Sequence, residues 1–101
     1  MKKFTIRHTP AALQDLDEIE YYIRNDLGMP GYAERYYNGI AATIKSLRTA
    51  GASYAISPIP SVQRRYGPEA RTAIYKKYTI IYHIVDDVVW IRRIIAGSLI
   101  F

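Results

Sequence analysis

The residues best suited to chemistry are arginines, lysines and tyrosines concentrated in the C-terminal half of the chain. They are Arg64, Arg65, Tyr66, Arg71, Tyr75, Lys76, Lys77, Tyr78, Tyr82, Arg92 and Arg93. Arginine binds phosphate oxygens through two parallel hydrogen bonds, and a tyrosine ring offers a stacking surface to an unpaired base. The combination indicates an RNA, DNA or acidic protein partner. The same tyrosines could equally be packing residues of a core, so both interpretations stay open at this point.

The charge of the chain is unevenly distributed. The 101 residues carry a net charge of +5. Residues 1–34 hold four basic and six acidic side chains, whereas residues 35–101 hold ten basic and three acidic ones. A basic C-terminal two-thirds favours a polyanionic partner, although small proteins also have a high pI for solubility alone.

Several other chemistries lack the residues that they need. The sequence has no cysteine, and its two histidines, His8 and His83, do not have metal-ligand spacing, so we expect no metal. Glycine-rich nucleotide-binding motifs are absent, which predicts no small-molecule cofactor. The acidic residues between Asp15 and Glu20 are expected to form a solvated helix face rather than a pair of catalytic carboxylates.

The sequence also carries no sign of a membrane or secretory segment. No apolar run approaches the roughly 18 residues that would span a bilayer. The first ten residues contain two lysines but no apolar stretch after them, so we predict no signal peptide. A cytoplasmic protein is therefore expected.

Hydrophobic periodicity predicts the elements that must position the basic and aromatic residues. Residues 4–8 alternate as a short strand, and Thr9-Pro10 is a good start for a helix that Gly28 ends. The predicted apolar stripe of this helix is Leu13, Leu16, Ile19, Ile23 and Leu27. A second helix, ending near Gly51, has its stripe at Ala33, Tyr37, Ile40, Ile44 and Leu47.

The rest of the chain predicts a loop followed by strands. Residues 51–68 lack periodicity and hold two glycines and three prolines, so they are predicted to be a long loop with at most a short edge strand. Residues 70–75, 78–85 and 88–95 are predicted strands, joined by tight turns at Lys76-Lys77 and Asp86-Asp87. The predicted fold is one α+β domain, in which an N-terminal strand and an antiparallel helical hairpin pack on a small antiparallel sheet.

Strict alternation along the last two strands makes further predictions. Tyr82 and His83 fall on opposite faces of their strand, and Arg92 and Arg93 fall on opposite faces of theirs. Both faces are largely apolar, so the sheet is expected to be covered on both sides. Trp90 is expected to be a core residue, and His83 is expected to be buried in its strand.

In order and spacing, these elements resemble the RelE/ParE superfamily, the toxins of bacterial type II toxin–antitoxin and plasmid-stabilisation modules. The segments that carry the resemblance are TPAALQDLDEIEYYI, AERYYNGIAATIKSL, the central YTIIYHIVDD preceded by Arg71, and the closing VVWIRRII. The resemblance implies a growth-inhibiting toxin that a cognate antitoxin neutralises. Arg71 matches the arginine that the family has before its central strand. By their residue types, Arg64, Arg65, Tyr66, Arg71, Tyr75 and Lys77 are expected to bind the target or a nucleic acid.

The superfamily divides by target, and the resemblance leaves two activities and one inactive alternative. RelE-like members cleave mRNA on the ribosome without a metal, and such a nuclease could use Arg71, Lys76, Lys77, His83 and Arg93 here. ParE-like members bind DNA gyrase instead. Nuclease members carry an arginine and then a tyrosine or histidine after the last strand, where this chain has AGSLIF. A ParE-like toxin is therefore favoured, and the third alternative is a remnant that binds only its antitoxin.

The C-terminal end is the predicted contact for that antitoxin. Leu99, Ile100 and Phe101 are apolar residues that a soluble toxin should not expose to water. We expect a partner to cover them together with Trp90, by adding a strand or an amphipathic helix.

Overall fold

The computed structural model describes residues 3–97, so Leu99, Ile100 and Phe101 lie outside the described residues. The elements are β1 (Thr5–His8), α1 (Pro10–Tyr21), a π-helical turn (Tyr22–Asp26), α2 (Pro30–Ala50), a 3-10 turn (Gly51–Ser53), α3 (Pro60–Tyr66), β2 (Arg71–Tyr75), β3 (Tyr78–Val85) and β4 (Val88–Ala96). None of the helices in this part of the chain has the length and apolarity to cross a membrane.

The first helix begins where the sequence predicts, but its α-helical part ends at Tyr21, before the predicted end at Gly28. The Thr9 hydroxyl accepts a hydrogen bond from the Ala12 N–H at 3.1 Å, and Pro10 occupies the first helical position. The winding widens in the last turn, where the Leu27 N–H donates to the Tyr22 carbonyl, five residues back. Gly28, with φ of +66°, then turns the chain toward α2.

The stripes predicted for the helical hairpin are correct in part. The buried side chains of α1 and its extension are Ala12, Asp15, Leu16, Ile19 and Ile23, and those of α2 are Ala33, Ile40, Ile44 and Leu47. Leu13, Leu27 and Tyr37 were placed wrongly, since they are 50%, 46% and 41% exposed. They flank the stripe that meets the sheet and therefore lie toward solvent.

The sheet has four strands in the order β1-β4-β3-β2. The three C-terminal strands form the predicted antiparallel meander. β1 joins the edge of β4 in parallel, so the sheet is mixed rather than wholly antiparallel. Both predicted hairpin turns are present, and their first residues, Lys76 and Asp86, have the positive φ of 53° that two-residue turns require at one central position or both.

The main core lies between the helical hairpin and the sheet. Its completely buried side chains include Ile40, Leu47, Ile80, Tyr82 and Ile91. The Tyr82 hydroxyl donates to the Gly51 carbonyl at 2.6 Å, which ties the end of α2 to the central strand. Burial raises the pKa of Tyr82 to about 12.

A second, smaller core lies on the opposite face of the sheet. Residues 51–68 are not simply a loop, because they contain α3, whose Val62 packs against Ala70 and Ile81. Pro60 stands in the first turn of α3, and Gly67, with φ of +100°, follows its last residue. Seven residues are too few to show helical periodicity, which is why the sequence predicted a loop. The sheet is thus covered on both sides, as expected.

A β-bulge interrupts the last strand and changes the faces predicted for it. Ile81 lies opposite Arg93, while its neighbour Tyr82 lies opposite Ile91, so Arg92 is an extra residue. After the bulge, Ile94 returns to the main core, where strict alternation had placed Arg93 with Ile91. The bulge therefore decides where the two arginines of β4 point.

Candidate functional site

Arg71 stands at the start of β2 and is bonded to the protein backbone. It pairs with Tyr82 across the sheet, and its guanidinium donates to the carbonyl oxygens of Tyr54 and, at 3.5 Å, Ala52. These carbonyls belong to the segment that follows α2. These hydrogen bonds therefore hold that segment against β2, the edge strand of the sheet.

Lys76 and Lys77 lie over a cluster of tyrosine rings at the β2–β3 turn. We define the tyrosine cluster as Tyr36, Tyr75 and Tyr78. Tyr36 meets each of the other two rings edge-on, with centroids 5.8 Å apart in both cases. The Lys76 amine is 5.8 Å from the Tyr36 centroid and 5.9 Å from the Tyr75 centroid, and the Lys77 amine is 6.0 Å from that of Tyr36. These are cation–π distances.

His83, Arg92 and Tyr66 meet on the face of the sheet that α3 covers. Nη1 of Arg92 lies 3.4 Å from Nδ1 of His83, and its guanidinium carbon is 5.8 Å from the Tyr66 ring centroid. Partial burial lowers the pKa of His83, and the charge of Arg92 lowers it further. The imidazole is therefore neutral at pH 7. Trp90 pairs with His83 across the sheet and is half-buried.

Arg93 is paired with Asp15 of α1. Its Nε and Nη2 donate to the two carboxylate oxygens at 2.6 and 2.9 Å, and the Ile94 N–H donates to the same carboxylate at 2.9 Å. Asp15 is only 8% exposed, so the expectation of a wholly solvated acidic face was wrong at this position. The hydrogen bonds to Asp15 raise the pKa of Arg93, while burial acts in the opposite direction.

The basic and aromatic residues singled out in the sequence are therefore divided among separate places. Arg64 and Arg65 are exposed on the last turn of α3, and Tyr66 joins His83 and Arg92. Tyr75 and Tyr78 belong to the tyrosine cluster, and Lys76 and Lys77 lie over its rings. Within residues 3–97, no group of three or more histidine, cysteine or acidic side chains is arranged to hold a metal ion.

Sequence reasoning missed two residues that organise these places. Asp15 was grouped with solvated carboxylates, although its position three residues after the buried Ala12 is compatible with the inner face of α1. Gly39 lies in the middle of α2, where a glycine is unfavourable, and this is a signal that could have been used. A Cβ at Gly39 would overlap the ring of Tyr75, so the glycine lets that ring lie on the helix.

Comparison with known proteins decides the family. The model of the ParE toxin of type II toxin–antitoxin systems matches residues 6–100. The chain belongs to the ParE toxin family. It is thus a toxin of the RelE/ParE superfamily, as the resemblance of its elements indicated.

Solved structures of two toxin–antitoxin systems share the fold. A chain of the chromosomal ParDE system from P. aeruginosa is 20% identical with a TM-score of 0.73, and the match covers 93% of this chain and 96% of that one. A chain of the RelBE2 complex from Mycobacterium tuberculosis is 21% identical with a TM-score of 0.64, and the match covers 93% and 98%. A search of curated protein sequences finds no match.

Proposed function

We propose that this ParE-family chain inhibits growth by binding an essential macromolecule, with DNA gyrase as the first target, and that it does not cleave RNA. The observation that carries the proposal is the separation of the five groups that a nuclease could use. The five groups are held in four different contacts. Arg71 is bonded to backbone carbonyls, Arg93 to Asp15, the two lysines lie over tyrosine rings, and His83 lies beside Arg92.

Metal-independent RNA cleavage requires an acid, a base and cations around one phosphate, and the contacts described here do not favour such a grouping. The 2′-hydroxyl must lose a proton while the leaving oxygen gains one, and cations must stabilise the charge that builds up on the phosphate. These groups have to surround a single phosphorus atom. Here His83 and Arg93 both lie near Tyr66, but Asp15 binds the guanidinium of Arg93. The two lysines lie over the tyrosine cluster instead.

The proposal includes a cognate antitoxin and action in the cytoplasm, in the manner of a plasmid-stabilisation module. Both solved neighbours come from toxin–antitoxin systems, and this supports a protein partner for the chain. Trp90 remains a proposed contact for that partner, together with Leu99, Ile100 and Phe101. Arg64 and Arg65 are proposed target contacts because α3 exposes both of them.

A RelE-like, ribosome-dependent mRNA endonuclease is the second candidate. The observation in its favour is the contact between His83 and Arg92, which places a neutral imidazole beside a cation and the ring of Tyr66. A neutral imidazole is a competent general base at neutral pH. The exposed arginines of α3 would then contribute to RNA binding.

Induction in a bacterial host tests both candidates in parallel. We expect growth arrest, loss of gyrase supercoiling activity with the purified chain, and an unchanged map of mRNA 5′ ends. His83→Gln should arrest growth as strongly as the parent chain. Codon-phased 5′ ends that disappear in His83→Gln would instead establish the endonuclease, and normal growth at full expression would leave only the antitoxin-binding remnant.

A further inference from the structure

An open apolar groove lies where the helical hairpin meets the edge strand β1. Its apolar lining includes Ile6 of β1, Leu13 and Leu16 of α1, and Tyr37 and Ala41 of α2, and its volume is about 380 Å³. Leu13 and Tyr37 are half-exposed, although both are large and apolar or aromatic. Exposed apolar surface of this kind on a small protein marks a place where another surface docks.

The two ends of the groove carry opposite charge. Lys45 and Arg48 line the end formed by the last turns of α2. An adjoining depression, which shares Tyr37, is lined by Asp17, Glu20 and Glu34, with Arg24 paired to Glu20. Within the described part of the chain, Lys45, Arg48, Asp17 and Glu34 have no ion-pair partner. The surface is thus basic at one end, apolar in the middle and acidic at the other end.

We propose that this surface binds a second copy of the chain across a twofold axis near Leu13 and Tyr37. Twofold symmetry reverses the hairpin of one copy relative to the other, so the acidic end of each copy faces the basic end of its partner. Both charge contacts are then attractive, and Leu13 of each copy fills the groove of the other copy. The chain's own residues therefore supply both halves of the complementarity.

The size of the surface sets the strength of this dimer. α2 has 21 residues and is about 31 Å long, and two neighbouring helices are about 20 Å wide. The face therefore offers about 600 Å² per copy, or about 1,200 Å² in total, which is the lower limit for specific interfaces. We expect reversible self-association in the micromolar range rather than an obligate dimer.

A charge-exchange experiment tests the proposal independently of toxicity. The acidic-end variant carries Asp17→Lys and Glu34→Lys, and the basic-end variant carries Lys45→Glu and Arg48→Glu. Sedimentation velocity over a concentration series should show the parent chain dimerising. Each variant alone should associate more than about tenfold more weakly, since like charges then face each other. An equimolar mixture of the two variants should recover the dimer, because every contact is again attractive.

The controls separate this surface from general charge effects. Glu69→Lys with Asp86→Lys changes the net charge as the acidic-end variant does, away from the hairpin, and should dimerise like the parent chain. Recovery in the mixture also shows that both variants are folded. A parent chain that stays monomeric to submillimolar concentration would overturn the proposal. A dimer that neither variant weakens would also overturn it. Variants that still dimerise like the parent chain but no longer bind the antitoxin would do the same.

Discussion

At the scale of single residues, the tyrosines differ in how far they are buried. Tyr82 and Tyr78 are buried in the main core, so the packing interpretation is correct for both. Tyr36 and Tyr75 are only partly buried and carry the two lysines of the β2–β3 turn on their faces. A tyrosine-rich, basic sequence therefore does not imply that its tyrosines face a ligand.

Because its hydroxyl is buried, Tyr82 is expected to make the protein less stable at alkaline pH. Its pKa is about 12 when folded, against 10 in the unfolded chain, so the folded state holds its proton more tightly. This contribution is complete below pH 10 and is lost as the pH rises from 10 toward 12. Urea titrations should show a free energy of unfolding that falls over this range by about 1–3 kcal/mol from this group.

Tyr82→Phe is the variant that isolates this effect. At pH 7 its free energy of unfolding should be lower by about 1–2 kcal/mol, because the Gly51 carbonyl no longer accepts a hydrogen bond from the buried hydroxyl. It should also lose most of the alkaline dependence, apart from the part due to Tyr78, whose pKa is raised as well. An alkaline profile identical to that of the parent chain would contradict the assignment to Tyr82.

Gly39 gives a second prediction at the residue scale. Gly39→Ala should destabilise the chain by about 1–3 kcal/mol, because the new methyl group displaces Tyr75 from the helix and from Tyr36. Thermal and urea denaturation measure the change. Gly31→Ala is the matched control, since nothing lies within 4 Å of its Cβ position in the same helix. The control should be neutral or slightly stabilising, and equal losses in both variants would remove the steric explanation.

At the scale of elements, the bulge of β4 and helix α1 depend on each other. The extra residue Arg92 turns Arg93 toward α1, where Asp15 binds the guanidinium and also the Ile94 N–H. One carboxylate therefore satisfies three donors and fixes the strand where its alternation changes. Arg92 itself lies beside His83.

Asp15→Asn tests this link between α1 and β4. The amide keeps the size of the side chain but loses the charge that two guanidinium donors and one backbone donor require. We expect the free energy of unfolding, measured with urea at pH 7, to fall by about 1–3 kcal/mol. The loss is not larger because the Arg93 side chain is partly exposed to water, which weakens the ion pair. Asp17→Asn, an exposed change in the same helix, should stay within about 0.5 kcal/mol. A neutral Asp15→Asn would mean that the bulge holds without the pair.

These elements also show how far sequence reasoning reaches. The helical hairpin and the meander were predictable because periodicity, the Thr9-Pro10 start and the two-residue turns are local signals. Helix α3 and the bulge were not, since a seven-residue helix shows no period and a bulge depends on pairing with another strand. The parallel position of β1 likewise depends on a contact with residues more than eighty positions away.

At the scale of the whole molecule, charge is divided between the helical hairpin and the sheet side. The acidic residues concentrate in α1 and the start of α2, whereas α3 and the strands are mostly basic. The site could be predicted only in composition, because the chain folds its basic residues into separate contacts. Arg64 and Arg65 are adjacent and exposed in the last turn of α3, which is why they are proposed as target contacts.

Replacing both arginines tests whether this side of the molecule meets the target. Arg64→Ala with Arg65→Ala should weaken growth inhibition severalfold on graded induction, because exposed charges steer an anionic surface toward the protein. Unfolding free energy should change by less than about 0.5 kcal/mol, since neither side chain is buried. Arg24→Ala on the hairpin, where Glu20 already neutralises the charge, is the control and should inhibit growth fully. If the double variant, expressed at the same level, inhibits growth as strongly as the control, the target binds another face of the chain.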